Sequence, residues 1–415
     1  MKRMGLYIAL VSLSTIFGCA TNHVARQPVK PQPNYAKPLA PGDSALRLIV
    51  DPQRMPDLTR AYRHSDAIML NAIDESLAWF AAPSSKQFYP FDGITHQQAR
   101  ASLLALLELF SSSYNEQVFT DDLLRKFDVY ESVGYDRRGT VLFTGYYSPT
   151  FRASRTKTSR FRYPLYTRPD DLVTEPVTGK PMGRKLSGGS LTTYYTRKQI
   201  EDSQMFAGNE LIWLKDPLSV YIIHVNGSAK LRLPDSSVVY VGYAGKTDRP
   251  YTGLGQSVIN ENLLKPDQLS LGAIRRMYDK NPQLIENLIL RNENYVFFTE
   301  YNGEDWPAGS LGVPVTANRT IATDKKVYPR GGMVLVDTKA ITFTKKKEDL
   351  LEFMMDQDTG GAIQAPGRAD IFMGVGMSAE ILAGGQYAEG KLYYFFLKPQ
   401  FVEQYAETGM ANAYR

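Results

Sequence analysis

Apolar residues recur at near-helical spacing over 66–81, at Ile68, Leu70, Ile73, Leu77 and Phe80, with Pro83 just beyond. That spacing predicts a helix. A second helix is predicted over 96–110, with Thr95 as N-cap and Leu103, Leu106, Leu107 and Phe110 on one side. From Phe127 the period shortens to two. Residues 127–130 and 140–144 alternate as strands joined by a turn at 136–139, and the second runs into Gly145-Tyr146-Tyr147-Ser148-Pro149. Tandem tyrosines at a strand end suit a hinge, a sugar-stacking platform or a core, and the pattern leaves all three open.

Residues 150–300 read as a different unit. Residues 220–228 form an apolar run expected to be a strand leading into a turn, and 230–233 with 238–243 make a hairpin around Pro234-Asp235-Ser236. Helices are expected over 271–280 and 282–291, the second capped by Asn281 with Pro282 in its first position. After 295–298 come short strands at 313–316, 321–323, 333–337 and 391–397, glycine corners at 329–332, and a short helix at 378–383. Many short strands with glycine corners suggest a small closed barrel. Closing it needs strands from before residue 150, which makes 150–300 an insertion.

Composition adds little to the class but something to the location. The 415 residues are 43% hydrophobic and 22% charged, which is ordinary for a globular chain of about two domains. Aromatic content is high at 12%, with 26 tyrosines, which suits β-sheet and sugar-facing surfaces alike. The formal charge of +5 is mild and carries no concentrated basic block of the nucleic-acid type. Met1-Lys2-Arg3 followed by an apolar run over 5–17 reads as a secretory signal too short for a membrane span. Ile16-Phe17-Gly18-Cys19 is similar to a lipobox, so residues 1–18 are expected to be a signal peptide and Cys19 the lipidated N-terminus. Ala20 stands where an Asp would resemble an inner-membrane retention signal, so an outer-membrane anchor facing the periplasm is expected. Residues 19–45 are proline-rich and polar and form a tether.

Candidate chemistry concentrates in 357–376, a glycine-rich segment holding Asp358 and Asp370. Asp370 precedes Ile371-Phe372-Met373, and an acid at the mouth of a buried strand is a group whose pKa can rise for proton transfer. The other reading is two turn aspartates bonding glycine-loop backbone. His224 has no His or Cys partner at ligand spacing, and Gly253-Leu254-Gly255 lacks the spacing of a phosphate loop, so no metal or cofactor is called for. His64 and His96 are isolated and read as structural or solvated.

Several blocks, in order, resemble the membrane-bound lytic murein transglycosylase A family. They are Thr144-Gly145-Tyr146-Tyr147-Ser148-Pro149, His224-Val225-Asn226-Gly227-Ser228-Ala229, Gly242-Tyr243-Ala244-Gly245-Lys246, Asn294-Tyr295-Val296-Phe297-Phe298 and Gly312-Val313-Pro314-Val315-Thr316-Ala317. Asp324 with Pro329-Arg330-Gly331, Gln357-Asp358-Thr359-Gly360-Gly361-Ala362-Ile363 and the Asp370 segment complete the set. The resemblance implies a mainly β protein with helices (α+β): a double-psi β-barrel domain from 46–150 and 301–415, interrupted by a smaller β-rich domain at 151–300. A groove for a glycan strand would lie between them. The C-terminal module of the family is named for three aspartates, which fall here on Asp324, Asp358 and Asp370.

The same resemblance makes Asp370 the catalytic acid, with Asp358 and Asp324 in support and Thr144, Tyr147 and Gln357 as groove residues. The family motif before the acid is written His-Phe-Asp, whereas this chain has Arg368-Ala369-Asp370. Arg368 is expected to point away from Asp370, since facing it would lower the acid's pKa. The implied reaction is cleavage of the β-1,4 bond between MurNAc and GlcNAc by one carboxylate, with the muramic C6 hydroxyl as nucleophile. Peptidoglycan strands and, through the anchor, the outer membrane are the implied partners, with other cell-wall enzymes as candidates and no nucleic acid. A hydrolytic glycanase on the same barrel and a non-catalytic peptidoglycan-binding lipoprotein are the alternatives. Asp358-Thr359-Gly360 also matches the aspartic-protease signature, which needs a second such triplet that the chain lacks.

Overall fold

The structure is a computed structural model, and it describes residues 33–176, 179–265 and 268–405. The expected signal peptide, Cys19 and the tether up to residue 32 lie outside the described residues. Residues 34–405 belong to one compact unit, Asn34–Arg415.

Both N-terminal helices form where their patterns predict. Asp66 accepts from the Met69 amide at 3.0 Å to cap Ala67–Ala81, and Thr95 accepts from the Gln98 amide at 3.0 Å to cap His96–Ser112. Such caps satisfy amides that have no partner within the helix and contribute about 1 kcal/mol each. Leu103, Leu106 and Leu109 are buried along one face of His96–Ser112, each worth roughly 1.5–3 kcal/mol. Two further helices, Leu58–Arg63 and Glu116–Lys126, pack beside each other. Among the described residues no helix is long and apolar enough to cross a membrane.

Six strands pair in a closed cycle: Val141–Ser148, Tyr387–Leu397, Met333–Ile341, Lys347–Asp358, Thr320–Ala322 and Arg368–Val375, which returns to Val141–Ser148. Two pairings are parallel, Thr320–Ala322 with Lys347–Asp358 and Arg368–Val375 with Val141–Ser148; the rest are antiparallel. Phe127–Ser132 and Leu46–Leu48 extend the sheet beyond Tyr387–Leu397. One core, drawn from residues 45–147 and 313–405, unites these strands with the N-terminal helices.

Met377–Gly385 packs on this sheet at Gly145, where a built Cβ would sit 2.9 Å from the Ala383 Cα. Because the obstructing atom is backbone, Gly145→Ala is expected to cost about 1–3 kcal/mol, read as a lowered midpoint in urea unfolding.

Residues 150–301 carry their own cores. Val296–Tyr301, Val238–Lys246, Ser228–Arg232 and Thr150–Arg152 make a four-stranded sheet, with the expected hairpin at its centre. Leu271–Lys280 and Pro282–Ile289 form as predicted, with Asn281 capping the second. Residues 220–228 correct the expectation of a strand: Pro217–Asn226 is a helix. Asp216 caps it through the Ser219 amide at 2.7 Å, Pro217 opens it, and Gly227 closes it at φ 71°. The helix is buried almost all round, so its apolar run carries no helical period to distinguish it from a buried strand. Residues 313–316 form no strand either; they follow the chain of 307–309, with the Val315 amide donating to the Pro307 carbonyl at 2.7 Å.

Candidate active site

Register places the two carboxylates in one row. Ala322 pairs with Asp358 on one side and with Asp370 on the other, and Asp370 pairs with Thr144. Laterally paired residues point to the same face, so Asp358, Ala322, Asp370 and Thr144 share it. The carboxylates are therefore about two strand spacings apart, roughly 9–10 Å between Cα atoms, with only a methyl group between them.

Their environments differ. Asp358 Oδ1 accepts from the Ser310 amide at 2.8 Å and the Thr359 amide at 2.7 Å, and Oδ2 accepts from the Tyr146 hydroxyl at 2.8 Å. Burial raises the Asp358 pKa, while these three donors work against that rise. The Asp370 side chain is 16% exposed, and its Oδ1 is buried without a hydrogen-bond partner. Burial pushes its pKa from 3.8 up to about 6; Arg368 opposes the rise and the Asp358 charge adds to it. One carboxylate is thus fully engaged, and the other is left as a free acid that can hold a proton near neutral pH.

The structure corrects three readings of the sequence. Arg368 lies two residues before Asp370 and so shares its face, with Nη2 3.9 Å from Asp370 Oδ1, rather than pointing away. Arg368 Nη1 donates to the Ala362 carbonyl at 3.1 Å and Nη2 to Thr144 Oγ1 at 3.4 Å. Thr144 stands beside the acid, but Tyr147 is on the opposite face, buried, with its hydroxyl donating to Glu380 at 3.0 Å. Tyr146 is the tyrosine that reaches the row; it also packs on Phe372, ring centroids 5.1 Å apart. Gln357 is the extra residue of a bulge, where the pairing with Thr320–Ala322 steps from Asp356 to Asp358, and it is wholly buried. Its amide donates to the Ala72 carbonyl at 2.8 Å and Ser76 Oγ at 3.0 Å, and its carbonyl accepts from Thr320 at 2.6 Å.

Asp324 caps a turn away from the row, accepting from the Lys326 amide at 3.0 Å and the Ala365 amide at 2.8 Å. It ties its own turn to the loop before Arg368–Val375. Close in the chain to Asp358 is a buried ion pair the sequence did not reveal. Lys325 donates to Asp356 Oδ1, while Thr323 Oγ1 and the Tyr394 hydroxyl donate to Oδ2, both at 2.8 Å. Burial drives Asp356 up and Lys325 down, and each partner restrains the other. His224 is buried with Nδ1 3.1 Å from Arg197, and burial pushes it well below its ordinary pKa, so it is a neutral core group. Among the described residues no three His, Cys, Asp or Glu side chains gather as a metal site.

The chain matches the family described as MltA specific insert domain over residues 142–299 and the 3D domain over residues 319–396. It is 29% identical over 269 residues to a membrane-bound lytic murein transglycosylase A homolog of Buchnera aphidicola, covering 63% of this chain and 68% of that protein. To the membrane-bound lytic murein transglycosylase A of Escherichia coli (strain K12) it is 27% identical over 271 residues, covering 64% and 68%. Among solved structures it shares the fold of a membrane-bound lytic murein transglycosylase from Agrobacterium tumefaciens, with TM-score 0.71 and 23% identity over 87% of this chain and 99% of that one. It also shares the fold of E. coli MltA with bound chitohexaose, with TM-score 0.64 and 21% identity over 89% and 98%. With the MltA specific insert domain and the 3D domain matched in order, the chain is similar in both halves to the membrane-bound lytic murein transglycosylase A family, and it shares the fold of solved members of that family over most of its length.

Proposed function

We propose that the protein is a peptidoglycan lytic transglycosylase in which Asp370 is the acid and then the base. The observation that carries this reading is the contrast within the row: Asp370 keeps an unpartnered oxygen and a pKa near 6, while Asp358 is held by three donors. Hydrolysis by two carboxylates needs a second one free to act on water or the sugar. A transglycosylase needs only one, because the substrate supplies its own nucleophile.

Protonated Asp370 donates to the glycosidic oxygen between MurNAc and GlcNAc. Its carboxylate then takes the proton of the MurNAc C6 hydroxyl as that oxygen closes on the anomeric carbon, giving a 1,6-anhydro end. Proton transfer of this kind contributes roughly 10²–10⁴-fold, and substrate binding and distortion supply the rest. Arg368 stabilises the carboxylate between the two transfers. Asp358 holds Tyr146 and the 358–363 loop in place and, as a charge, helps keep Asp370 protonated.

The six-strand cycle supports reading residues 46–150 and 301–415 as the double-psi barrel, with 151–300 inserted and a glycan groove between. Membrane-bound relatives support association with a membrane, and lipidation of Cys19 would place the enzyme on the outer membrane facing the periplasm. Mass spectrometry of fragments released from purified sacculi tests the reaction. Products lighter by one water than hydrolysis products are expected; reducing MurNAc ends would identify a hydrolase, and no release at all a binding protein.

A further inference from the structure

The block Gly242-Tyr243-Ala244-Gly245-Lys246 ends the strand Val238–Lys246, where a bulge between Tyr243 and Gly245 shifts the register against Val296–Tyr301. Bulges re-aim the side chains that follow them. Lys246 is aimed at the loop that joins the two carboxylates: a Cβ built on Gly361 would lie 3.6 Å from its Nζ. At the next residue of that loop, Arg368 donates to the Ala362 carbonyl. Two cations from distant parts of the chain thus reach adjacent residues beside Asp370.

Neither has a lasting anionic partner among the described residues. Lys246 is half-buried, makes no hydrogen bond there and has no carboxylate within ion-pair reach; burial and the nearby Lys326 hold it below its ordinary pKa. Arg368 Nε is buried and unpartnered, and the carboxylate near its Nη2 is Asp370, which must be protonated to act. A partly desolvated cation without a counter-charge is costly, and the cost is recovered when a ligand brings the anion.

We propose that Lys246 and Arg368 bind a carboxylate carried by the glycan strand beside the scissile bond. This inference rests on the transglycosylase reading. In that substrate the hydroxyl and acetamido groups are neutral, and negative charge sits on the side arm at C3 of MurNAc. Its source is the lactyl carboxylate of a peptide-free strand or the carboxylates of the attached peptide. Either offers a planar anion that a guanidinium and an ammonium recognise together.

The full chain carrying Asp370→Asn, which keeps substrate intact, is titrated calorimetrically with a neutral N-acetylglucosamine hexamer, peptide-free GlcNAc–MurNAc oligosaccharides and peptide-bearing ones. Adding Lys246→Gln is expected to weaken carboxylate-bearing probes about tenfold or more and leave the hexamer unchanged, while Lys246→Arg restores most of the loss. A loss that includes the peptide-free probe assigns the lactyl group; a loss on the peptide-bearing probe alone assigns the peptide. Equal losses on all three probes, or none on any, overturn the inference. Failure of the Asp370→Asn chain itself to bind any probe sinks the transglycosylase reading instead.

Discussion

Asp370→Asn is expected to abolish release of soluble fragments from sacculi while making the folded protein more stable at neutral pH. The first effect follows from the proposed role, since the amide neither donates a proton to the glycosidic oxygen nor accepts one from the C6 hydroxyl. Loss of general acid–base catalysis alone predicts a fall of at least about 10²–10⁴-fold. The second follows from linkage. Folding raises the Asp370 pKa from 3.8 to about 6, so the native state binds this proton more tightly than the unfolded chain. Stability associated with the proton is present below pH 3.8 and is lost as pH rises through about 6. The difference corresponds to about 3 kcal/mol, an upper figure because the side chain keeps a little solvent contact. Asn carries no charge to bury and escapes that loss, less the attraction to Arg368.

Thermal unfolding of both proteins across pH 4–8 and a dye-release assay on sacculi check this pair of outcomes. The unsubstituted enzyme should lose activity as pH rises through about 6, where the acid form disappears. Substantial residual lysis in the variant would remove Asp370 from the mechanism. A variant that is inactive but also less stable at every pH would mean the carboxylate is structural.

Lys325→Met is expected to be the most destabilising of the single changes, by roughly 3–5 kcal/mol, because it leaves Asp356 as a buried charge without its cation. Asp356 is fully buried and Lys325 nearly so. Asp356 precedes Asp358 by two residues on the same strand, so the damage should extend to activity through displacement of the 358–363 loop. Replacing both members, Lys325→Met with Asp356→Leu, should recover much of the lost stability, since a well-packed apolar pair often matches a buried ion pair. Urea unfolding midpoints of the two single variants and the double variant provide the test. If the double variant is as unstable as the sum of the singles, the ion pair is not the reason for the loss.

Local signals carried far in this chain. Asp66 and Thr95 sit immediately before apolar periodicities, and the helix starts follow because capping is decided within four residues. Asp370 stood out because an acid precedes a run of three bulky apolar residues, and its burial follows from that context. Two of the misreadings at the site share one cause. Tyr147 and Arg368 are each read in isolation, although their strands alternate: with Thr144 and Asp370 on the site, Tyr146 and Arg368 face it and Tyr147 does not. Lys347–Asp358 carries a bulge at Gln357, where its pairing with Thr320–Ala322 steps from Asp356 to Asp358, so alternation does not decide that side chain. The charged first residues of this strand concealed it in the sequence.

Other features were not legible at any level of sequence reading. Alternation tells which residues share a face within one strand, but not which strand lies beside it. Nothing local pairs Ala322 with both Asp358 and Asp370, joins Lys325 to Asp356 across 31 residues, or carries Lys246 from the 150–301 segment to Gly361. The sequence alone determined the helix caps, the hairpin and the family-like order of blocks, because those depend on neighbours in the chain. Only the tertiary structure decided which carboxylate is engaged and which is free. A pKa depends on desolvation and on charges brought near by long-range pairing, and strand register supplies both.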